Sequence, residues 1–566
     1  MAVSGIEAFL EVLHGAGVCH IFGNPGTTEL PLNDALVDDR RFQYILGLQE
    51  VPVMGMADGY AMASGRLGVV NLHTCCGLGN AMGMLYNAFR EGTPLLVTAG
   101  QQDRRLRFEE PILTGDMVRV ARPWTKWAVE VQRTEELPTA LRRAIQTALT
   151  PPTGPVFIAM PIDVQTERID QLDLAPPRLP NPLVRPPAEA LRRAAELLAG
   201  AAAPVILAGS RVTERDAVGE LVAVAERLGA PVYCESGTTH GRLAFPCDHA
   251  LYGQGLPLWS PDIHERLRPF DVALVAGMDL LRLYIHREPS CPIPDNLRLI
   301  QIDEDPWQLG KNYPLEVGLI GDTKMGLAEL DREIAAQMPP GQQAAVRARA
   351  EAWAGRHRAA RQALLDQIAA EQPLRPMTPR CFMHALAQVL PADVAVVEEA
   401  VTTTGTVLER LGALGNTTGY FGHRGWALGW GLGCALGVQL AWPDRPVLGI
   451  LGEGAAMYGI QGLWSAAHHH IPVTFVVPNN AQYQILKVCA GQLGLPHAAD
   501  GRLPALDLVA PEVDLVTLAQ SMGVAACRVS EPDELSDRVR TSLAGSEPTL
   551  IDVPIERSRP ADLAYG

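Results

Sequence analysis

The stretch GILGEGAAMYGIQGLWSAAHHHIPVTFVVPNN, residues 449–480, carries the reading of the fold. It holds two short apolar runs. The first, RPVLGILGEG (445–454), ends at Gly452-Glu453-Gly454, and the second, PVTFVVPNN (472–480), ends at Asn479-Asn480. Continuous apolar runs of this kind are strands buried on both faces, as in a parallel sheet covered by helices. A helix lies between them. In open parallel sheets ligands sit beyond the carboxyl ends of the strands, which points to Glu453 and Asn480. Glycines on either side of the carboxylate let backbone approach a ligand closely. A carboxylate plus an amide oxygen is a hard-oxygen donor set suited to Mg2+, which keeps water and shares a phosphate ligand. The helix after Gly454 also offers N–H groups to phosphate. Taken alone, the same residues make an ordinary glycine turn and an Asn-Asn turn. His468, His469 and His470 end the helix. Successive helical positions point in different directions, so this run is structural and not one metal site.

Working outward, similar runs recur at 66–74, 93–101, 154–163, 203–210, 271–279, 297–305, 393–400 and 548–556, separated by helical patterns. Two composition shifts divide the chain. Residues 172–190 are Pro-rich without periodicity, and residues 338–380 form an Arg/Ala-rich helical stretch ending in prolines. The expected fold class is α/β, with three doubly wound parallel-sheet domains at 1–172, 190–337 and 375–557.

Composition narrows the function. The 566 residues carry 47 Lys+Arg and 63 Asp+Glu, a net charge of −16. Such a chain is a poor binder of nucleic acid or anionic membrane. Charged residues make up 19%, below the usual ~25%, which fits extensive buried surface including subunit contacts. No run of apolar residues is long enough for a membrane helix. The start, MAVSGIEAFLEVLHGAG, lacks a basic segment followed by an apolar core, so a cytoplasmic protein is expected. The ten Cys include no C-x-x-C pair, which argues against zinc and disulfide frameworks. Lys126, Lys311, Lys324 and Lys487 are the lysines, so a Schiff-base mechanism has few candidates.

The 449–480 segment resembles the diphosphate-binding motif of the thiamine-diphosphate (ThDP) enzymes, Gly-Asp-Gly and, further on, Asn-Asn. Glu453 stands where that family usually has Asp, which keeps the charge and moves the carboxylate one methylene outward. The resemblance implies that Glu453, Asn480 and the backbone carbonyl of Gln482 hold Mg2+, and that Gly452, Gly454, Ala455 and Asn480 contact ThDP. In GYFGHRGWALGWGLGCALGVQLAWPDR (419–445), Leu428 matches the bulky apolar residue that wedges between the cofactor's rings and brings its 4′-nitrogen to C2. Core packing explains a leucine equally well.

The N-terminal third is similar to the same family, in its benzoylformate decarboxylase branch. IFGNPGTTELPL (21–32) supplies Pro25 to the substrate pocket, Gly26 to the cofactor, and the Thr27 hydroxyl to a substrate carboxylate. ILGLQEVPVMGMADGYA (45–61) places Glu50 where the family's glutamate bonds the aminopyrimidine N1′ and activates ThDP. NLHTCCGLGNAMG (71–83) makes His73 a proton-transfer residue, since an imidazole titrates near neutral pH. The Gly77-x-Gly79 step is not a dinucleotide fingerprint, because its spacing is wrong. LLRLYIHREPS (280–290) aligns His286 with the branch's second histidine; the plain alternative is a solvent-exposed His beside Arg287 and Glu288. Ile485 and Cys489 align with a small pocket Ala and a pocket Phe, and Phe421 or Gly422 with a further pocket Phe. The pocket is thus expected to lose aromatic walls.

The resemblance implies a pyrimidine-binding domain, a central Rossmann-like domain and a diphosphate-binding domain, in that order. It implies ThDP- and Mg2+-dependent non-oxidative decarboxylation of a benzoylformate-like 2-keto acid to an aldehyde. The alternative is a ThDP carboligase or aldehyde lyase of the acetolactate-synthase kind, with room for a second carbonyl substrate near Cys489. A non-catalytic ThDP-fold subunit is a third reading, which Glu453 favours and Glu50, His73 and Asn480 oppose. The expected partners are a small 2-keto acid or aldehyde and further copies of the chain, at least a homodimer and by resemblance a homotetramer. Neither nucleic acid nor a membrane is expected.

Overall fold

The structure is a computed structural model that describes residues 2–235, 241–498 and 501–557. Among these residues lie three six-stranded sheets whose paired strands all run parallel. The first contains β1 (His20–Gly23), β2 (Gln43–Leu46), β3 (Gly68–Leu72), β4 (Leu95–Gln101), β5 (Trp127–Glu130) and β6 (Val156–Pro161), in the order β2-β1-β3-β4-β6-β5. The second contains β7 (Pro204–Ala208), β8 (Val232–Cys234), β9 (Tyr252–Gly255), β10 (Val272–Ala276), β11 (Arg298–Asp303) and β12 (Val317–Ile320), in the order β9-β8-β7-β10-β11-β12. This is the 3-2-1-4-5-6 order of doubly wound nucleotide folds. The third contains β13 (Ala395–Glu399), β14 (Tyr420–Phe421), β15 (Val447–Leu451), β16 (Val473–Asn479), β17 (Ala525–Arg528) and β18 (Thr549–Pro554), in the order β14-β13-β15-β16-β18-β17. Its topology repeats that of the first sheet. Central strands such as β4, β7, β10 and β15 are buried along their whole length, as their unbroken apolar sequences require.

Two helices join the first and third sheets. The helix α1 (Glu50–Ser64) starts after Gln49, whose side chain accepts the Val51 N–H, and stops at Gly65, which has φ +66°. A second helix, α2 (Thr74–Glu91), begins at His73. In the third domain α3 (Trp430–Ala441) runs parallel to α1 and almost touches it. A Cβ on Gly59 would sit 2.3 Å from the Cys434 carbonyl oxygen, and one on Gly437 would sit 1.9 Å from the Met56 oxygen. At their N-termini, a Cβ on Gly429 would meet Val51 at 3.0 Å. The buried Asp58 accepts the Trp430 indole N–H at 2.6 Å. One apolar core accordingly spans both sheets, from Phe22 and Val70 to Phe475 and Val477.

The central domain is tied in by charge. Buried Arg424 pairs with Glu91 from α2 and with Glu214 of the central domain. Arg242 donates to the carbonyls of Met62, Thr418 and Tyr420. No helix among the described residues is long and apolar enough to cross a membrane. The three histidines ending the crossover diverge. His468 stacks on Trp464 with centroids 4.5 Å apart, and His469 Nε2 accepts the Leu46 N–H at 2.9 Å.

Candidate active site

The strand order reverses between β1 and β3, and again between β13 and β15. Such switch points open a crevice at the carboxyl ends of the strands. In the first sheet Asn24 follows β1, Glu50 follows β2 and His73 follows β3. Glu50 is buried at the first position of α1. Its carboxylate accepts from Asn24 Nδ2 at 3.3 Å and from Asn80 Nδ2 at 3.0 Å. Gly77 faces it: a Cβ there would lie 3.3 Å from Oε1. The missing side chain lets the α2 backbone pack close against the carboxylate.

His73 is half-buried, and its Nδ1 lies 2.7 Å from Oε2 of the buried Glu29. Glu29 also accepts N–H groups from Gly26 at 2.9 Å and Gly100 at 2.8 Å, and the Thr28 hydroxyl at 2.8 Å. A carboxylate so bonded accepts a hydrogen bond from Nδ1–H, which leaves Nε2 as the exchangeable nitrogen. The ring lies against Gly26, where a Cβ would come within 2.2 Å of Nδ1. Glycine is required there by contact. Pro25 is partly buried beside it, and Thr27 is exposed on this chain's surface at the mouth of the same loop.

The third domain assembles the other half. Glu453 opens a short helix after β15, and Asn480 ends the β16 strand region; both are buried, as is Gln482. Glu453 Oε1 and Asn480 Oδ1 converge on one donor, the Gln482 N–H, at 3.0 and 3.1 Å. Burial pushes the Glu453 carboxyl up to about 7. It has no ion-pair partner among the described residues. Two convergent hard oxygens, one an uncompensated buried carboxylate, fit a divalent cation. Gly452, Gly454 and Ala455 flank Glu453 at the start of the same short helix. Leu428 is half-buried and immediately precedes Gly429, which has φ +97°. The turn is held from both sides. Asn87 of α2 donates its Nδ2 to the Ala427 carbonyl at 2.8 Å and accepts the Ala427 N–H at Oδ1 at 3.0 Å. Buried Glu399 accepts the N–H groups of Gly429, Trp430 and Gly431, each at 3.0 Å.

Two expectations change. His286 is not brought to the other residues: its side chain is 75% exposed and faces Glu288 at 3.4 Å. The 280–290 segment is irregular, so no periodicity fixes which of its side chains turns inward. The surroundings of Cys489 are not stripped of aromatic rings either. Cys489 lies on α4 (Gln484–Gln492) with Ile485, and its thiol is hydrogen-bonded to Tyr284 of the central domain. Tyr284 in turn meets Trp426, two residues before Leu428, with ring centroids 5.0 Å apart. Glu29, Asn24, Asn80, Glu399, Tyr284 and Trp426 escaped the sequence reading. All of them stand inside the motif segments or apolar runs quoted above, but no local pattern set them apart from their neighbours.

Family models agree with the geometry. The "Thiamine pyrophosphate enzyme, N-terminal TPP binding domain" model matches residues 3–114, the central-domain model 191–330 and the C-terminal TPP binding domain model 405–553. A benzoylformate decarboxylase of Pseudomonas aeruginosa is 35% identical over 98% of this chain and 99% of its own length. A probable acetolactate synthase large subunit of Methanocaldococcus jannaschii is 27% identical over 98% of this chain and 92% of its own. Among solved structures, a ThDP-dependent 4-hydroxybenzoylformate decarboxylase from Rhodococcus jostii superposes with TM-score 0.85 at 29% identity, over 98% of this chain and 100% of its own. With buried carboxylates at two equivalent switch points and relatives matched along nearly the whole length, the chain belongs to the family of thiamine-diphosphate-dependent enzymes that includes the 2-keto acid decarboxylases.

Proposed function

We propose that this chain is a ThDP- and Mg2+-dependent decarboxylase that converts a benzoylformate-like 2-keto acid into CO2 and an aldehyde. The observation that carries this reading is His73 held at Nδ1 by Glu29, on the same strand-end ridge as Glu50. Releasing an aldehyde after CO2 loss requires a proton to be delivered and another removed, and His73 Nε2 is placed to exchange them.

Glu453, Asn480 and the Gln482 carbonyl would hold Mg2+, with Gly452, Gly454 and Ala455 along the diphosphate. Glu50, Gly26 and Leu428 would face the rings. When bound, ThDP supplies a carbon nucleophile and an electron sink. The rest falls to the chain's own residues. Glu50 shares a proton with the aminopyrimidine, its carboxylate kept in place by Asn24 and Asn80. The Thr27 hydroxyl donates to the substrate carboxylate. Apolar Pro25, Ile485 and Leu428 deprive that carboxylate of water, which favours its loss.

In the family resemblance the carboxylate of one copy serves the diphosphate clamp of another, so the working unit is at least a homodimer, and we propose a homotetramer. Apolar side chains are exposed on both domains: Leu48, Phe108 and Ile112 on the first, Leu486, Leu493 and Leu495 on the third. Patches of this kind mark association surfaces.

A panel of 2-keto acids assayed with ThDP and Mg2+ tests the reading. CO2 and free aldehyde are expected. Ligated product from added aldehydes without CO2 would instead establish the carboligase, which the acetolactate synthase relatives keep in view.

A further inference from the structure

The central domain reaches the pocket through Tyr284, two residues before the histidine that the alignment favoured. Tyr284 is 45% exposed, with its hydroxyl bonded to the Cys489 thiol. Its ring meets Trp426 at 5.0 Å and an interplanar angle of 60°, and Trp259 backs it at 6.2 Å. The segment carrying it is anchored. Arg282 donates to the Arg424 carbonyl at 2.7 Å and binds Asp279, and Asn312 donates to the Leu280 carbonyl at 3.2 Å. On the other side, Trp426 donates its N–H to His423 Nδ1 at 3.0 Å, and Asn87 holds Ala427. Two half-exposed aromatic faces, each on a fixed backbone, thus stand beside Cys489 and next to the Leu428 turn.

We propose that Tyr284 and Trp426 form the specificity wall for the substrate's side chain, and that they select aryl 2-keto acids over small aliphatic ones. The inference rests on the decarboxylase reading and names its substrate class. A flat ring packs edge-on or offset against such a pair and gains more than an alkyl group of similar reach. The phenol is the polar point in an otherwise apolar wall. It stays protonated, because burial and the neighbouring thiol both raise it. It therefore donates a hydrogen bond to Cys489 or to a substituent on the substrate ring, and does not serve as a base. His286, turned toward Glu288, takes no part in selection.

The test compares kcat/KM for benzoylformate and for pyruvate in the ThDP- and Mg2+-loaded protein. Tyr284→Ala is expected to lower the benzoylformate value about 10- to 100-fold and to leave pyruvate within about threefold. Trp426→Ala is expected to act in the same direction. Tyr284→Phe, which keeps the ring and loses the hydroxyl, should retain the aryl preference. His286→Ala should leave the aryl-to-aliphatic ratio at the wild-type value. An equal loss on both substrates in Tyr284→Ala, with Tyr284→Phe restoring neither or both alike, would overturn the proposal. So would a ratio that moves with His286 and not with Tyr284. Quenching of tryptophan fluorescence by benzoylformate and by pyruvate gives a second readout that needs no turnover. If the wild type releases no CO2 from any keto acid, the decarboxylase reading fails. The wall is then still judged: aryl-selective quenching that disappears in Tyr284→Ala upholds it, and equal quenching by both acids ends it.

Discussion

The carboxylate of Glu29 lies 2.7 Å from Nδ1 of His73 and spends its remaining lone pairs on the N–H groups of Gly26 and Gly100 and on the Thr28 hydroxyl. It therefore fixes both the ring and the loop beside it. Glu29→Gln keeps the shape and removes the charge. We expect kcat to fall about ten- to a hundredfold, less than loss of the acid–base group itself would cost because Glu29 acts through His73, with ThDP affinity unchanged. Steady-state kinetics paired with calorimetric ThDP titration checks both halves. An equal loss of ThDP affinity would show that Glu29 is only structural.

Glu50→Gln should keep ThDP bound and lower turnover by more than about a hundredfold, since an amide cannot share the proton. One of Asn24 and Asn80 keeps donating to the amide oxygen and the other can turn its own side-chain oxygen toward the new NH2, so the fold is retained. Turnover close to wild type would remove Glu50 from the mechanism.

Glu453→Ala deletes one of the two oxygens that converge on the Gln482 N–H. Mg2+-dependent ThDP retention should weaken by at least about tenfold. Equilibrium dialysis of ThDP at fixed Mg2+ measures it. Glu453→Asp, which shortens the arm but keeps the charge, should bind ThDP far better than the alanine variant.

Asp58 gives a pH prediction. Burial lifts its carboxyl to about 6 in the folded chain, against an ordinary value of 3.8. A raised acid favours the folded state fully only below the unfolded value, and that advantage is lost as pH climbs through the folded one. Between about pH 4 and pH 6 the wild type should thus lose stability relative to Asp58→Asn, which does not titrate. The asparagine still accepts the Trp430 N–H. The variant should be more stable at pH 8 by on the order of 1–3 kcal/mol and no better at pH 4. Denaturant titrations at the two pH values decide the point.

Gly437→Ala places a methyl 1.9 Å from the Met56 carbonyl oxygen. Backbone cannot yield cheaply, so a loss of about 1–3 kcal/mol is expected, seen as a lower Tm. Ala at Gly79, which has nothing within 4 Å of its added carbon, is the matched control and should leave Tm nearly unchanged.

Legibility in the sequence followed the range of the interactions. Unbroken apolar runs announced β4, β15 and β16, because burial on both faces leaves its mark residue by residue. Glu50, His73, Glu453 and Asn480 were visible because each directly follows a strand within a dense local motif. Glu29 was not, since its value comes from bonds to Gly100 and His73, which lie far off in sequence. Tyr284 and Trp426 were missed for a related reason. Each sits in an irregular segment, and only the packing of the central domain on the third brings their rings together. His286 shows the converse: alignment in a loop constrains position along the chain but not the direction of a side chain.

The glycine seam between α1 and α3 has a bearing on how such a protein is rebuilt or diversifies. Glu50 and Leu428 each stand at the head of one of these helices, and the spacing between heads is set by backbone meeting backbone, with no long side chain to absorb an error. Transplanting the first 172 residues from a cousin would thus bring the wrong thread for this screw unless segment 430–441 travelled with them. Each chain would then present Glu50 and Leu428, the groups it lends to the sites shared between copies, at a spacing inherited as a single part.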